Sequence, residues 1–340
     1  MRFGRERIAR KEGDSAPVSL GEFELIDRFF RNRGARRADV ALGVGDDAAV
    51  IDVPPGKRLV AATDTLVEGV HFPRAAPPRS IGHRALAVNL SDLAAMGARP
   101  AWATLALTLP AAEESWLREF ANGLDELARA HEVALIGGDT TSGPLTVTVT
   151  LLGIAHSRGF LARSGAAPGD HIFVSGTVGD AAAGLAVLEA RLKQGSAADR
   201  EQLQRRFLFP EPRVELGERL LGIASAAIDV SDGLAADTGK LVRASNCGAR
   251  IDAGALPLSA AIVACAGAQA ARDWALGGGD DYELCFTVPA GRLAQLTGSV
   301  PVKRWPYTAI GLVTDGPGVV ILDGAAILNV ERAGFDHFVR

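Results

Sequence analysis

Two periods of hydrophobic and polar positions alternate along the chain, and the switches between them lay out its elements. Phe23, Ile26 and Phe30, with Leu25 and Phe29, recur at helical spacing and predict a short amphipathic helix near the start. Two apolar runs, Ala48 to Val53 and Arg58 to Thr63, flank Pro54-Pro55-Gly56-Lys57, a pattern that predicts a hairpin. Ser80 as N-cap and Gly97 as terminator bracket a helix with the stripe Ile81, Ala85, Val88, Asp92 and Ala95. Ala103, Leu105, Leu107 and Leu109 then alternate with Thr104, Ala106 and Thr108 at the period of a half-buried strand. A helix marked by Leu117, Phe120, Leu124 and Leu127, a short strand from Val133 to Ile136, and an alternating strand through Leu145, Val147, Val149 and Leu151 complete an α+β half.

The Gly-, Ala- and Pro-rich stretch from Arg158 to Gly169 lacks either period and places a domain boundary near residues 155 to 165. Beyond it, strands at His171–Ser175, Ala227–Val230 and Leu284–Val288 alternate with helices at Ala181–Leu192, Arg213–Ser225 and Leu234–Ser245, as in an α/β sandwich. The expected organisation is a disordered tail (1–18), a first domain (19–157) and a second domain (158–340).

One residue breaks the pattern. Asp92 lies in the apolar stripe of its helix, where a carboxylate must be paired or hold a metal to offset the cost of leaving water. A theme also recurs in both halves, an apolar run closing on glycine and aspartate: GVGDD, LIGGDTTSG, DVSDG and GGGDDYE. Singly these are turn chemistry. Together they put Asp46, Asp47, Asp64, Asp92, Asp139, Asp229, Asp232, Asp280 and Asp281 at element ends with few Lys or Arg residues in the same motifs.

Composition narrows what such acids can serve. The 340 residues carry 36 Lys and Arg against 40 Asp and Glu, a net −4, so there is no global basic field for nucleic acid or an anionic membrane. Charges and glycines interrupt every apolar stretch short of a membrane span. The N-terminal basic residues lie among Glu6, Glu12 and Asp14, without the apolar core of a secretory signal. Cys247, Cys265 and Cys285 lack metal-type spacing, and the expectation is a reduced, cytoplasmic chain with buried thiols.

Carboxylates gathered without cations repel and take up protons, unless a hard divalent cation intervenes. Magnesium suits a few carboxylates plus water and substrate phosphate, whereas zinc asks for Cys and His clusters that are absent. Magnesium and many glycines together point to a phosphate ester. No Walker A sequence is present, and GVGDDA at 43–48 meets the dinucleotide pattern only formally, because Asp46 and Asp47 would repel a pyrophosphate. The residues alone thus reach magnesium-dependent handling of phosphate esters in two domains.

The strings GEFELIDRFF, GVGDDAAV, ATDTLVEGVHF, ALAVNLSDLAAMGARPAW, LIGGDTTSGPL, RSGAAPGD, IDVSDGL, GGGDDYELCFTVP and GFDHF closely resemble the thiamine-monophosphate kinase family, in order from Gly21 to Phe338. That resemblance implies an aminoimidazole ribonucleotide synthetase-like fold whose N-terminal mixed sheet pairs in a homodimer. It also implies ATP-dependent phosphorylation of thiamine monophosphate to thiamine diphosphate with several magnesium ions. Carried over motif by motif, Asp47, Thr63, Asp64, Asp92, Asp139, Asp229 and Asp232 hold metal; Gly138, Asp139, Arg163 and Ser231 contact ATP; His71, Asp280 and Phe335 contact thiamine monophosphate. No general base is implied.

Two positions depart from the family pattern: Ala62 where a hydroxyl residue is common, and Asp280 where Glu is common. Each shortens a ligand by a reach that water can span. Two rivals stand beside the kinase, a superfamily enzyme with another acceptor and a non-catalytic nucleotide or thiamine-phosphate sensor. Selenophosphate synthetase would need an early reactive Cys and the hydrogenase-maturation protein a terminal one; the earliest cysteine is Cys247, and the chain ends His337-Phe338-Val339-Arg340.

Overall fold

A computed structural model describes residues 21–328 and Gly334. The expected tail at 1–18 and the candidate Phe335 lie outside the described residues. The first half runs α1 (Glu22–Phe29), β1 (Val40–Leu42), β2 (Val50–Ile51), β3 (Leu59–Val67), α2 (Pro78–Ala95), β4 (Arg99–Leu109), α3 (Glu114–Ala130), β5 (Ala134–Ser142) and β6 (Thr146–Ile154). The second runs β7 (His171–Ser175), α4 (Asp180–Leu188), α5 (Ala197–Leu208), α6 (Val214–Leu220), β8 (Ala226–Asp229), α7 (Leu234–Ala244), β9 (Gly248–Asp252), α8 (Ala260–Gly277), β10 (Leu284–Val288), α9 (Leu293–Ser299), β11 (Tyr307–Thr314), β12 (Gly318–Asp323) and β13 (Ala326–Leu328).

In the first half β3, β6, β4 and β5 form a mixed sheet in that order, antiparallel except for β4 with β5. Its inner face, from Leu105, Leu107, Val147, Val149 and Leu151, packs on α2 and α3 in the main core. The outer face carries small and hydroxyl residues. Thr63 meets Thr150 and Thr65 meets Thr148 across the β3–β6 pair, hydroxyl to hydroxyl at 2.9 and 2.8 Å. In the second half a seven-stranded sheet of order β13-β12-β9-β11-β7-β10-β8 buries β10 and β8 completely.

Helix α2 is the keystone between the halves. It packs on α3 in the first half and on α6 and β8 in the second. Its approach to α3 depends on Gly82, where a Cβ would meet the Phe120 carbonyl oxygen at 2.0 Å. Most of α2 is buried all round its circumference, so the amphipathic stripe read from the sequence is one strip of a fully enclosed helix.

Three local expectations are corrected. β2 pairs with β1 while β3 pairs with β6, so Pro54–Lys57 connects two sheets instead of turning a hairpin. Pro78 is the first residue of α2, and Ser80 lies inside it, its hydroxyl donating to the Pro77 carbonyl. The strand expected at Val133–Ile136 continues through Gly137, Gly138 and Asp139 to Ser142, because β4 supplies a ladder along its whole length. Helix α5, which buries only Leu203 and Phe207, had no expected counterpart. The three cysteines are free and buried, as expected.

Candidate active site

The C-terminal half of β3, the cleft-facing side of α2, and two loops of the second half enclose a cleft of about 780 Å³. Thr63, Asp64, His71, Asp92, Arg163, Asp229, Ser231, Asp232 and Asp280 all line it. The remaining described candidates, Asp47, Gly138 and Asp139, line a different cleft of about 760 Å³, between α1, the loop after β1 and the β4–β5 edge. Gly138 has φ of +151°, and a Cβ there would meet the Leu105 carbonyl oxygen at 1.8 Å, so only glycine fits against β4.

Register explains the division. Asp64, Val149, Leu105 and Gly138 lie in one row across β3, β6, β4 and β5, which sets β3 and β5 about 14 Å apart at three strand spacings. Asp139 is in register with Ala106 on the open face, whereas Asp64 alternates to the face that α2 covers. One chain therefore holds its candidate ligands in two groups.

In the larger group the electrostatics are one-sided. Lys240 pairs with Asp232, and Arg84 pairs with Asp280. Asp64, Asp92 and Asp229 then face Arg163 as the cation that offsets Asp92 and Asp229. Burial, reinforced by Asp229 and Asp64, pushes the Asp92 carboxyl up to about 8. Burial likewise raises Asp229 to about 6 despite a hydrogen bond from Ser91, and it raises Asp64. Asp64 and Asp92 interact side chain to side chain, which favours the charged form of Asp64 and opposes that of Asp92.

These are carboxylates without enough positive charge, the condition a divalent cation relieves. Among the described residues no three His, Cys, Asp or Glu side chains already form a metal cage. An all-oxygen, loosely gathered set fits magnesium, which keeps water and substrate phosphate among its ligands.

Several residues that sequence reasoning missed hold the site in shape. Ser91 Oγ donates to Asp229 Oδ2 at 2.9 Å and so ties α2 to β8. Asp237 Oδ2 accepts the backbone N–H groups of Ser231, Asp232 and Gly233, at 2.9, 2.9 and 3.1 Å, and fixes the loop that carries two candidates. Its spacing within SDGLAAD at the start of α7 was the available signal. His71 Nδ1 accepts from the Val67 N–H at 2.9 Å, which puts the proton of the neutral ring on Nε2.

The two halves match, in turn, the families described as AIR synthase related protein, N-terminal domain, over residues 45–155, and AIR synthase related protein, C-terminal domain, over 167–323. The chain is 47% identical to the thiamine-monophosphate kinase of Escherichia coli K12, over 94% of this chain and 99% of that one. The chain belongs to the thiamine-monophosphate kinase family. The Bacillus subtilis member is 35% identical over 94% of this chain and all of its own length. Among solved structures, the thiamine-monophosphate kinase of Stenotrophomonas maltophilia K279a superposes with a TM-score of 0.82 at 50% identity, covering 91% of this chain and 99% of that one. A second, AaThiL complexed with AMPPCP and TMP, superposes at 0.74 with 33% identity, covering 94% and 97%. More distant structures of the hydrogenase maturation protein HypE, such as one at 19% identity, share the fold.

Proposed function

We propose that this chain catalyses ATP-dependent phosphorylation of thiamine monophosphate to thiamine diphosphate, assisted by magnesium. The observation that carries the proposal is the cluster of Asp64, Asp92 and Asp229, buried with too little positive charge in a cleft that also holds Arg163 and His71. Asp47, Thr63, Asp64, Asp92, Asp139, Asp229 and Asp232 are assigned to the metal ions. When bound, magnesium supplies neutralisation and alignment of the ATP phosphates.

The chain's own groups do the rest. Gly138 and Asp139 border the nucleotide, Ser231 is presented by the loop that Asp237 fixes, and Arg163 offers a guanidinium to a phosphate. His71 donates from Nε2 to the acceptor, and Asp280 and Phe335 take the organic part of thiamine monophosphate. An acceptor phosphate with a second pKa near ~6 is ionised at neutral pH, so its oxygen attacks the γ-phosphorus in line without a protein base. ADP leaves, and no phosphoenzyme forms.

The homodimer belongs to the same proposal. β1 and β2 cover the Trp102, Ile136 and Leu152 end of the outer face of the β3-β6-β4-β5 sheet and leave its threonine end open, and the two outside strands, β3 and β5, border the two separated groups of ligands. Strand edges with unpaired backbone groups are covered or paired in folded proteins. Two copies joined by a two-fold axis would set β3 of one beside β5 of the other, bringing the two groups of ligands to a common seam. The division into domains at 157/158 and a cytoplasmic location, which suits three buried free thiols, complete the assignment.

Mass-spectrometric detection of thiamine diphosphate and ADP in equal amounts, dependent on magnesium, tests the reaction. ATP and thiamine monophosphate bound without diphosphate would favour a sensor and defeat the kinase. Mixed dimers test the shared site: Asp64→Asn and Asp139→Asn chains, each inactive alone, should regain about half of wild-type activity per mixed dimer, since one of two sites is intact. A mixed dimer as inactive as its parents would refute the shared site.

A further inference from the structure

Arg84 is an arginine enclosed in helix α2, with a side chain 3% exposed. It is not among the ligands assigned above. Its Nη1 donates to the Phe207 carbonyl at 2.8 Å, its Nη2 to Asp280 Oδ1, and its guanidinium lies 4.5 Å from the Phe207 ring centroid and 5.4 Å from that of Tyr282. A charge this deep in a core persists only where several partners compensate it. Two of these partners, Asp280 and Tyr282, belong to one loop of the cleft, and the third, Phe207, to α5.

That loop is unusual in backbone as well. Gly279, Asp280 and Tyr282 have φ of +70°, +64° and +51°, and two of the three are not glycine. Left-handed residues of this kind persist where their surroundings over-determine them. Here the Asp280 N–H donates to the Ser231 carbonyl and the Tyr282 N–H to the Val230 carbonyl, so the loop is also tied to the one that carries Asp229 and Asp232. The Tyr282 hydroxyl donates to Asp280 Oδ1 at 3.1 Å. Among the described residues both side-chain donors to Asp280 use the same oxygen, Oδ1, from the protein side.

We infer that Arg84 is a positioning residue for substrate recognition: with Tyr282 it locks Asp280 by Oδ1, so that Oδ2 is presented to the cleft as a fixed acceptor for a donor group on the organic part of the substrate. The inference rests on the proposed kinase reading and deepens it. Asp280 is a short acid, and a short side chain with one oxygen already engaged samples few orientations. Preorganisation of that kind strengthens binding by removing the cost of ordering the acceptor on contact. Arg84 acts through Asp280 and belongs to binding of the acceptor substrate, apart from the carboxylate cluster that serves ATP and magnesium.

The test is steady-state kinetics of the full chain with both substrates varied, for wild type, Asp280→Asn, Arg84→Gln, Arg84→Lys, Tyr282→Phe and the double variant Arg84→Gln/Asp280→Asn. Wild-type turnover of thiamine monophosphate is measured first, and its absence overturns the functional reading and this inference with it. Arg84→Gln should raise KM for thiamine monophosphate by roughly tenfold or more, the scale of one charge-assisted hydrogen bond, with KM for ATP within about twofold. In the Asp280→Asn background the same substitution should add nothing. Equal rises in both KM values, or full additivity in the double variant, would overturn the inference. If Arg84→Gln fails to fold, Tyr282→Phe decides: it keeps the ring and loses one donor, and should raise KM for thiamine monophosphate roughly threefold or more, whereas an unchanged value would overturn the inference. Arg84→Lys, which keeps the charge, should recover part of the lost affinity.

Discussion

Two groups of buried carboxylates in this molecule have opposite electrostatics. Glu283, fully buried at the start of β10, accepts from Arg213 at 2.6 and 2.7 Å, from Arg206 at 2.8 Å and from Ser175 at 2.5 Å. Burial opposes its charge, yet Arg213 and Arg206 hold the carboxyl below the usual range. Asp229 is also buried, and Asp64 and Asp92 beside it are half-buried; all three have far less compensation, and their carboxyls are raised. The charge of a carboxylate is thus balanced in one place and unbalanced in the other. Balanced charge marks a brace within the second half; unbalanced charge is what the proposed function assigns to a cation.

The contrast can be broken from either side. Asp92→Asn should cost at least about 10³ in kcat/KM, near 4 kcal/mol of transition-state stabilisation, by thiamine diphosphate assay. Its melting temperature without magnesium at pH 8 should match or exceed that of wild type, because a like charge is gone. Glu283→Gln should do the reverse. Leaving Arg206 and Arg213 without their acid should lower stability by about 3 kcal/mol in urea unfolding, with magnesium affinity of the folded fraction unchanged. Ser91→Ala is the mildest change. Loss of one hydrogen bond to Asp229 should weaken magnesium-dependent activity roughly tenfold, about 1.4 kcal/mol, and leave Glu283 and its arginines undisturbed.

How much of this was legible in the sequence depends on the kind of physics involved. Asp92 announced itself because a charge in an apolar stripe breaks a periodic rule, and the cleft gathers it with Asp64 and Asp229. The Gly-Asp motifs identified the strand end at Asp229 and the loop positions of Asp232 and Asp280, but LIGGDTTS was read as a strand end when it lies within β5. Strand length there is set by the β4 ladder, a long-range partner that local pattern does not reveal. The hairpin at Pro54–Lys57 failed for the same reason, since β2 and β3 have partners elsewhere in the chain. Arg84, Ser91 and Tyr282 were invisible because their meaning lies in contacts 123 and 196 residues away for Arg84, and 138 for Ser91. A sequence shows that a charge is out of place more readily than which partner completes it.

The central claim is that Asp64, Asp92 and Asp229 form the cation site, and proton release on metal binding tests it most directly. In the metal-free fold Asp92 titrates at about 8 and Asp229 at about 6, against about 4 in an unfolded chain. Both are raised, so their contribution to stability is present below about pH 4 and is lost as pH climbs through 6 and 8; magnesium should restore it, most strongly at pH 8. Titration calorimetry of magnesium with a non-hydrolysable ATP analogue, at pH 7 in two buffers of different ionisation enthalpy, counts the protons directly. The expected result is release of close to one proton per site, abolished in Asp92→Asn together with most of the affinity. Binding without proton release, and equally tight in Asp92→Asn, would contradict it.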